Sequence, residues 1–137
     1  MTTQEQYHEL SFYTLAHKGK NFIHQHIVDA YAAQTADTKT KPITVFFSLA
    51  GLYLFVDKNY TGRQVQEAHL QMSKKTKDFV KIILPETRGS ITVKNVLDTP
   101  PGVQRDEMIR QWCISVWNAF SDQHDKIISL TQKLVTK

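Results

Sequence analysis

The sequence contains a single cysteine, Cys113, and only five glycines and four prolines among its 137 residues. One cysteine excludes a disulfide within the chain and any zinc site built from several cysteines. No set of glycines has the spacing of a phosphate-binding loop, and the motifs Gly-x-Ser-x-Gly and His-Glu-x-x-His are both missing. The sequence therefore indicates no particular reaction, and it leaves open whether the protein is an enzyme.

A long hydrophobic run is missing as well. The longest one, residues 43–56, is shorter than the roughly 20 residues that span a membrane, and Ser48 and Gly51 interrupt it. Residues 1–6 are polar and lack the apolar core of a signal peptide. We therefore expect a cytoplasmic protein with no membrane partner, and we interpret residues 43–56 as a buried element.

The excess of positive charge is small. The formal net charge is +4, and most basic residues are scattered along the chain. A nucleic-acid surface would need basic residues on one face, together with stacking aromatic residues or a known motif. Because neither is present, we expect no nucleic-acid partner. We interpret the one local cluster as a solvated helix end; it consists of Lys74, Lys75, Lys77 and Lys81.

The last third of the chain has a strongly amphipathic pattern. Its apolar residues recur at gaps of three and four, with one break that His124 fills, so they lie on one side of a helix. They are Ile109, Trp112, Cys113, Val116, Trp117, Phe120, Ile127, Leu130 and Leu134. The pattern predicts one helix over residues 104–134, about 45 Å long at ~1.5 Å per residue. The rest of the chain or a second copy must cover the two tryptophans, so a homodimer is one predicted assembly.

Further helices complete the predicted fold, an all-α, single-domain bundle of about five main helices with a long C-terminal helix. They cover residues 4–16, 22–34 and 43–56, and a stretch that begins at the capping box Thr61-Gly62-Arg63-Gln64. Residues 43–56 are rich in strand-forming side chains, but the run is too long for a typical strand. A chain of 137 residues suits one domain.

Two connections are predicted less directly. The apolar residues of 4–16 point all round the helix axis, which predicts contacts on several sides. Residues 18–20, Lys-Gly-Lys, predict the end of that helix, and Asn21 is the predicted N-cap of the next. Residues 79–96 could form two strands, or an extended loop followed by a short helix that Thr92 caps. We favour the loop and the short helix.

Six histidines make ligand binding worth examining. His26, His69 and His124 lie on apolar faces of three predicted helices. A single inward histidine is usually a core residue satisfied by a hydrogen bond, but three of them could meet in a bundle core and bind a divalent metal or a polar ligand.

His24 and His26 are ~200° apart on their helix, so one should face inward and the other outward. The helix start disfavours a charged imidazole there, and a neutral ring suits a metal ligand or a general base. Asp29 follows His26 by one turn and could orient its ring.

Three stretches resemble a family of small helical bacterial proteins of unknown function. They are Tyr7-His8-Glu9-Leu10, Phe22-Ile23-His24-Gln25-His26-Ile27-Val28-Asp29-Ala30-Tyr31 and Arg110-Gln111-Trp112-Cys113-Ile114-Ser115-Val116-Trp117. The resemblance runs from about residue 7 to residue 120. The family has adjacent histidines where this chain has His24-Gln25-His26, and the Cys-x-x-Cys segment of some relatives is missing here. The resemblance implies an all-helical fold, draws attention to His8, His24 and Asp29, and implies no activity.

Two classes of function remain. The first is a binding protein or small enzyme that holds a divalent metal or a polar ligand through its bundle histidines. Its candidate binding residues are His8, His24, His26, Asp29, His69 and His124, and its candidate metal ligands are His24, His26, His69 and His124. The second is a structural or interaction module that associates with itself.

We predict that Trp112→Ala and Trp117→Ala each lower the free energy of unfolding by about 3–5 kcal/mol, as truncation of large buried aromatic residues does. Urea denaturation followed by circular dichroism measures the loss. Asn118→Ala, on the polar side of the same helix, is the matched control and should change this free energy by less than about 0.5 kcal/mol. A loss below about 1 kcal/mol for both tryptophans would mean that the apolar side faces solvent or a partner.

Overall fold

The computed structural model describes residues 1–16, 21–75 and 81–135. Within these ranges the regular structure is entirely helical, which confirms the predicted all-α class. The helices are α1 (Thr3–Ala16), α2 (His24–Thr35), α3 (Pro42–Val56), α4 (Gly62–Lys75), α5 (Val93–Leu97), α6 (Val103–Ala119) and α7 (His124–Leu134), with a short 3₁₀ helix at Ser121–Gln123. The buried apolar side chains form one core.

The central element is α3, which confirms the helix predicted for residues 43–56. Pro42 lies in its first turn, where the missing backbone N–H has no intrahelical partner to lose. The helix packs against α2, α4, α6 and α7. Because neighbours surround it, its apolar residues need not keep to one stripe. Among the helices that the structure describes, none is both long and apolar enough to cross a membrane.

The single helix predicted over residues 104–134 is wrong, because the chain breaks at Phe120 into α6 and α7. After the break His124 stacks on Trp117 at 3.7 Å between ring centroids, and its Nε2 bonds the Trp117 carbonyl at 2.8 Å. The side chain of Gln123 makes two hydrogen bonds to the backbone of Ile83: its Oε1 accepts from the Ile83 N–H, and its Nε2 donates to the Ile83 carbonyl. The break coincides with the gap in the apolar spacing between Phe120 and Ile127.

The apolar side of α6 faces the core, as predicted. Trp112 is 0% exposed and Trp117 is 1% exposed. The indole N–H of Trp112 donates to Gln34 Oε1 at 2.9 Å, so its burial leaves no unpaired donor. Cys113 is a free, buried thiol.

The segment between α4 and α6 confirms the predicted loop and short helix over the residues that the structure describes. Residues 79 and 80 lie outside them. The guanidinium of Arg88 donates to the carbonyls of Ala33 and Ala36, so it caps the end of α2 from the loop. Thr92 precedes α5, and its backbone N–H donates to Asn95 Oδ1 at 2.8 Å.

The helix starts follow the sequence in part. The capping box is confirmed, because the Thr61 N–H donates to Gln64 Oε1 at 2.8 Å and the Gln64 N–H donates to Thr61 Oγ1 at 3.1 Å. Asn21 as the N-cap of the second helix is wrong, since α2 begins at His24. The Asn21 carbonyl instead accepts the N–H of Gly62 at 2.6 Å. A Cβ at Gly62 would lie 1.8 Å from the Phe22 carbonyl oxygen, so this close approach requires glycine.

The prediction that α1 is contacted on several sides is wrong. Leu10 and Thr14 are its buried residues, whereas Phe12 is 75% exposed and Leu15 is 56% exposed. The helix lies on the outside of the bundle against α2 and α5. The helix end predicted at residues 18–20 lies outside the described residues.

Candidate functional site

Helix α2 carries polar residues toward two different pockets. The first, which we call the Asp29 pocket, lies between α2, α3 and α4 and has a volume of about 460 Å³. Its lining residues are Gln25, Val28, Asp29, Ala32, Ile43, Thr44, Phe47, Ser48, His69 and Ser73. Four of these ten residues are apolar, and the other six have hydrogen-bonding side chains.

Asp29 is the most deeply buried polar group of this pocket, with 3% of its surface exposed. Its Oδ1 accepts a hydrogen bond from Gln25 Nε2 at 3.2 Å, and its Oδ2 has no partner among the residues that the structure describes. Burial raises the pKa of the carboxyl well above its ordinary value. The group is therefore held in its neutral form further into the physiological range than an exposed aspartate.

The carboxyl lies against the backbone of α3. A Cβ at Gly51 would be 2.0 Å from Asp29 Oδ2, so no other residue fits at that position while Asp29 keeps its place. Ser48 precedes Gly51 by one turn of α3 and lines the same pocket. The two residues that interrupt the apolar run of α3 thus both serve this site.

His69 faces the Asp29 pocket from α4. Its Nε2 lies 2.9 Å from the Phe47 carbonyl, which can only accept, so the ring donates there. Burial lowers the pKa of His69, and the ring is therefore neutral near pH 7. With the proton on Nε2, Nδ1 keeps a free lone pair. None of the described residues donates a hydrogen bond to it.

His26 faces the second pocket, which lies between α2, α3 and α6 and has a volume of about 520 Å³. Its ring stacks on Phe55 at 3.5 Å, and the Arg110 guanidinium lies 5.2 Å from the Phe55 ring. Burial, and then the positive charge of Arg110, lower the pKa of His26 to about 3. The imidazole is neutral as expected, but burial, not the helix start, is the main cause.

The prediction that Asp29 orients His26 is wrong. Asp29 is bonded by Gln25, and His26 Nδ1 is buried without a hydrogen-bond partner among the described residues. The two side chains line different pockets. Three positions separate them, but the carboxyl lies against Gly51, whereas the imidazole stacks on Phe55, one turn further along α3.

The other predicted site residues lie apart from both pockets. His8 is exposed on α1. His24 is half-buried and bonds Thr14 Oγ1 at 2.8 Å, and His124 is held by Trp117. The structure thus brings together Asp29 and His69 of the predicted set. Within residues 1–16, 21–75 and 81–135, no group of three or more His, Cys, Asp or Glu side chains is placed to hold a metal ion.

Several residues of the Asp29 pocket were missed in the sequence. They are Gln25, Ser48 and Ser73, and Gly51 behind Asp29. Ser48 and Gly51 did leave a signal, because a serine and a glycine three positions apart in an otherwise apolar helix mark one face. Gln25 and Ser73 left none, since polar residues at helix surfaces are ordinary.

Fold and site together define a small all-α bundle with a polar pocket inserted between three of its helices. The family model for the family of unknown function DUF5946 matches residues 3–121. The chain belongs to this family. No curated protein and no solved structure matches the chain.

We predict that His26 makes the protein less stable in acid. The pKa of His26 is about 3 in the folded protein, whereas the ordinary value, which applies to the unfolded chain, is 6.5. Between these two pH values the unfolded chain therefore binds a proton that the folded chain does not. The free energy of unfolding is therefore highest, as far as His26 is concerned, above pH 6.5. It falls toward pH 3 with a slope of up to about 1.4 kcal/mol per pH unit. Asp29, whose folded pKa is raised, acts in the opposite direction.

The measurement therefore compares variants. Urea unfolding of the unmodified protein and of His26→Gln, between about pH 7 and about pH 4, should show a shallower loss of stability in the variant. His8→Gln is the matched control because the His8 side chain is exposed. Equal slopes for the unmodified protein and His26→Gln would contradict the prediction.

Proposed function

We propose that the protein binds a small polar ligand in the Asp29 pocket, and that Asp29 and His69 make the recognising contacts. The observation behind this proposal is Asp29 Oδ2, a buried atom of a pocket-lining side chain that has no hydrogen-bond partner among the described residues. An unsatisfied buried polar atom costs roughly 1–3 kcal/mol of stability. An apolar side chain of similar size would avoid that cost, so a role in ligand binding accounts for a carboxyl at this position.

The shape and composition of the pocket support the same proposal. A volume of about 460 Å³ lies in the range of small-molecule sites. The apolar side chains Val28, Ala32, Ile43 and Phe47 can cover the body of a ligand, and the polar groups can fix its orientation. This mixture of apolar wall and few polar contacts is typical of ligand pockets.

A divalent metal is the alternative ligand for the same atoms. Carboxylate oxygen and imidazole nitrogen are ordinary ligands of divalent metals, and Asp29 and His69 supply one of each. Elemental analysis of protein purified without chelator or affinity tag tests this alternative. A metal content that Asp29→Asn and His69→Gln both lower would favour it over an organic ligand.

The experiment for the proposal tests whether a small molecule binds in the Asp29 pocket. A panel of small cationic, neutral and anionic compounds is screened by thermal shift and by ligand-detected nuclear magnetic resonance (NMR). At a hundredfold excess over its dissociation constant, a binding compound should stabilise the protein by about 2.7 kcal/mol. Ala32→Phe places a ring in the pocket and should abolish this stabilisation. Ala16→Phe, at an exposed position of α1, should preserve it.

Two results would contradict the proposal. One is a panel in which no compound binds. The other is binding that survives Ala32→Phe unchanged, since the ligand would then lie elsewhere.

The melting temperature of each variant without compound establishes that it is folded before the comparison is made.

The second candidate function is a self-associating module. It is favoured by Phe12 and Leu15, which are 75% and 56% exposed on α1. Their positions, three residues apart, put them on one side of that helix, where a second copy could cover them. Sedimentation velocity should then show a dimer that the double variant Phe12→Ser, Leu15→Ser converts to monomer, while Lys133→Ala, at an exposed position of α7, leaves it intact. A monomer at every concentration would count against this candidate.

The sequence-based expectations of a cytoplasmic location, a bacterial origin and no nucleic-acid partner stay predictions.

A further inference from the structure

We infer that the ligand of the Asp29 pocket is an organic cation, an ammonium or amine group carried on an apolar body. This inference rests on the proposed function, since it names the chemical class of the ligand for that site. It follows from an account of which hydrogen-bonding atoms in the pocket are already used and which remain free.

The hydrogens of the pocket side chains are largely used by the protein itself. The Ser48 hydroxyl donates to the Val45 carbonyl at 2.8 Å, and the Ser73 hydroxyl donates to the Leu70 carbonyl at 2.8 Å. The His69 Nε2–H is directed at the Phe47 carbonyl. What each of these groups offers to a ligand is therefore a lone pair.

The amide of Gln25 follows this pattern in part, because one of its two N–H groups donates to Asp29 Oδ1. Asp29 Oδ2 has no partner among the described residues. In the neutral carboxyl Oδ2 carries the proton, and it becomes an acceptor when a cationic ligand favours the ionised form. The Thr44 hydroxyl makes no hydrogen bond to the described residues, but it lies at the exposed rim of the pocket. With Asp29 ionised, the buried part of the pocket thus presents mainly acceptors, from α2, α3 and α4 together.

The lining charges agree with this account. None of the described residues that line the pocket is Lys or Arg, although the whole chain has a net charge of +4. An anion would meet acceptor lone pairs with no cation to balance it. A ligand with several N–H donors satisfies them, and its positive charge favours the ionised form of Asp29.

The apolar wall completes the description of the ligand. Val28, Ala32 and Ile43 offer aliphatic surface, and the ring of Phe47 offers a face to which a cation is attracted. A volume of about 460 Å³ leaves room for a hydrocarbon chain or a ring beside the charged group. A bare metal ion would leave most of this space and the apolar wall without a contact.

The experiment uses probes that share one chain and differ in the charged group: n-pentylammonium, n-pentanol and n-pentanoate, with zinc chloride as a fourth probe. Each is titrated into the protein of residues 1–137, and binding is followed by NMR chemical shifts. We expect n-pentylammonium to bind more tightly than the other two organic probes by about tenfold or more. Ala32→Phe should abolish its binding.

Two variants identify the groups that recognise the charge. Asp29→Asn keeps the shape of the side chain but cannot ionise, and it should weaken the binding of n-pentylammonium by about tenfold or more. Ser48→Ala removes one acceptor, a hydroxyl that bonds only the Val45 carbonyl of its own helix. This change should weaken the binding of the same probe several-fold. Ser48→Ala keeps the inference testable if Asp29→Asn does not fold.

The outcomes separate the inference from the proposed function. If n-pentanol or n-pentanoate binds more tightly and Ala32→Phe blocks this binding, the inference of a cationic ligand is overturned and the pocket is still a ligand site. If zinc binds, Asp29→Asn removes this binding and the amine does not bind, the inference of an organic cation is overturned as well. Equal affinity of n-pentylammonium for the unmodified protein and for both variants would also overturn it. No binding by any probe would overturn both the inference and the proposed function.

Discussion

The contact between Asp29 and Gly51 is the constraint on which the rest of the bundle depends. Helices α2 and α3 form the most extensive helix pair among the described residues, and the carboxyl of Asp29 occupies the space where a side chain at position 51 would be. The glycine lets a polar group enter the interface of two largely apolar helices. Because α3 is the central helix, the position of this carboxyl is set by the packing of the whole core.

The ends of α2 are tied to other elements, which keeps both pockets in shape. At its start, the Asn21 carbonyl accepts the Gly62 N–H. At its end, Arg88 donates to the carbonyls of Ala33 and Ala36, and Gln34 accepts the indole N–H of Trp112. A helix held at both ends presents its side chains with little rearrangement, and such preorganisation lowers the cost of binding.

The sequence predicts the helices better than their ends or their contacts. Apolar spacing identifies the buried side of α6, and the length of the run in α3 distinguishes helix from strand. The gap in the apolar spacing coincides with the break at Phe120, but spacing alone could not distinguish a break from an inward position filled by His124. The bond between Gln123 and Ile83 that accompanies the break is long-range. Asn21 is not the cap either, because α2 begins at His24; the Asn21 carbonyl accepts the N–H of Gly62, which is distant in sequence.

The candidate site shows the same limit. Sequence spacing places Asp29 one turn from His26, and a hydrogen bond between them is reasonable on an isolated helix. In the bundle, the space beside Gly51 draws the carboxyl toward α3, and Phe55 holds the imidazole by stacking. Neighbouring helices decide which way each side chain points, so the shared pocket of Asp29 and His69 could not be derived from their separation in the chain.

His26 and Asp29 are both buried, and each has an atom without a hydrogen-bond partner among the described residues. Burial alters their pKa values in opposite directions, yet both groups are held in their neutral forms. His26 has compensation for its burial, because its ring stacks on Phe55. Asp29 has one weak bond from Gln25 and no ring to stack. The imidazole can therefore be explained as a packed core residue, whereas one oxygen of the carboxyl has no partner among the described residues, and that difference is why we propose the Asp29 pocket as the functional one.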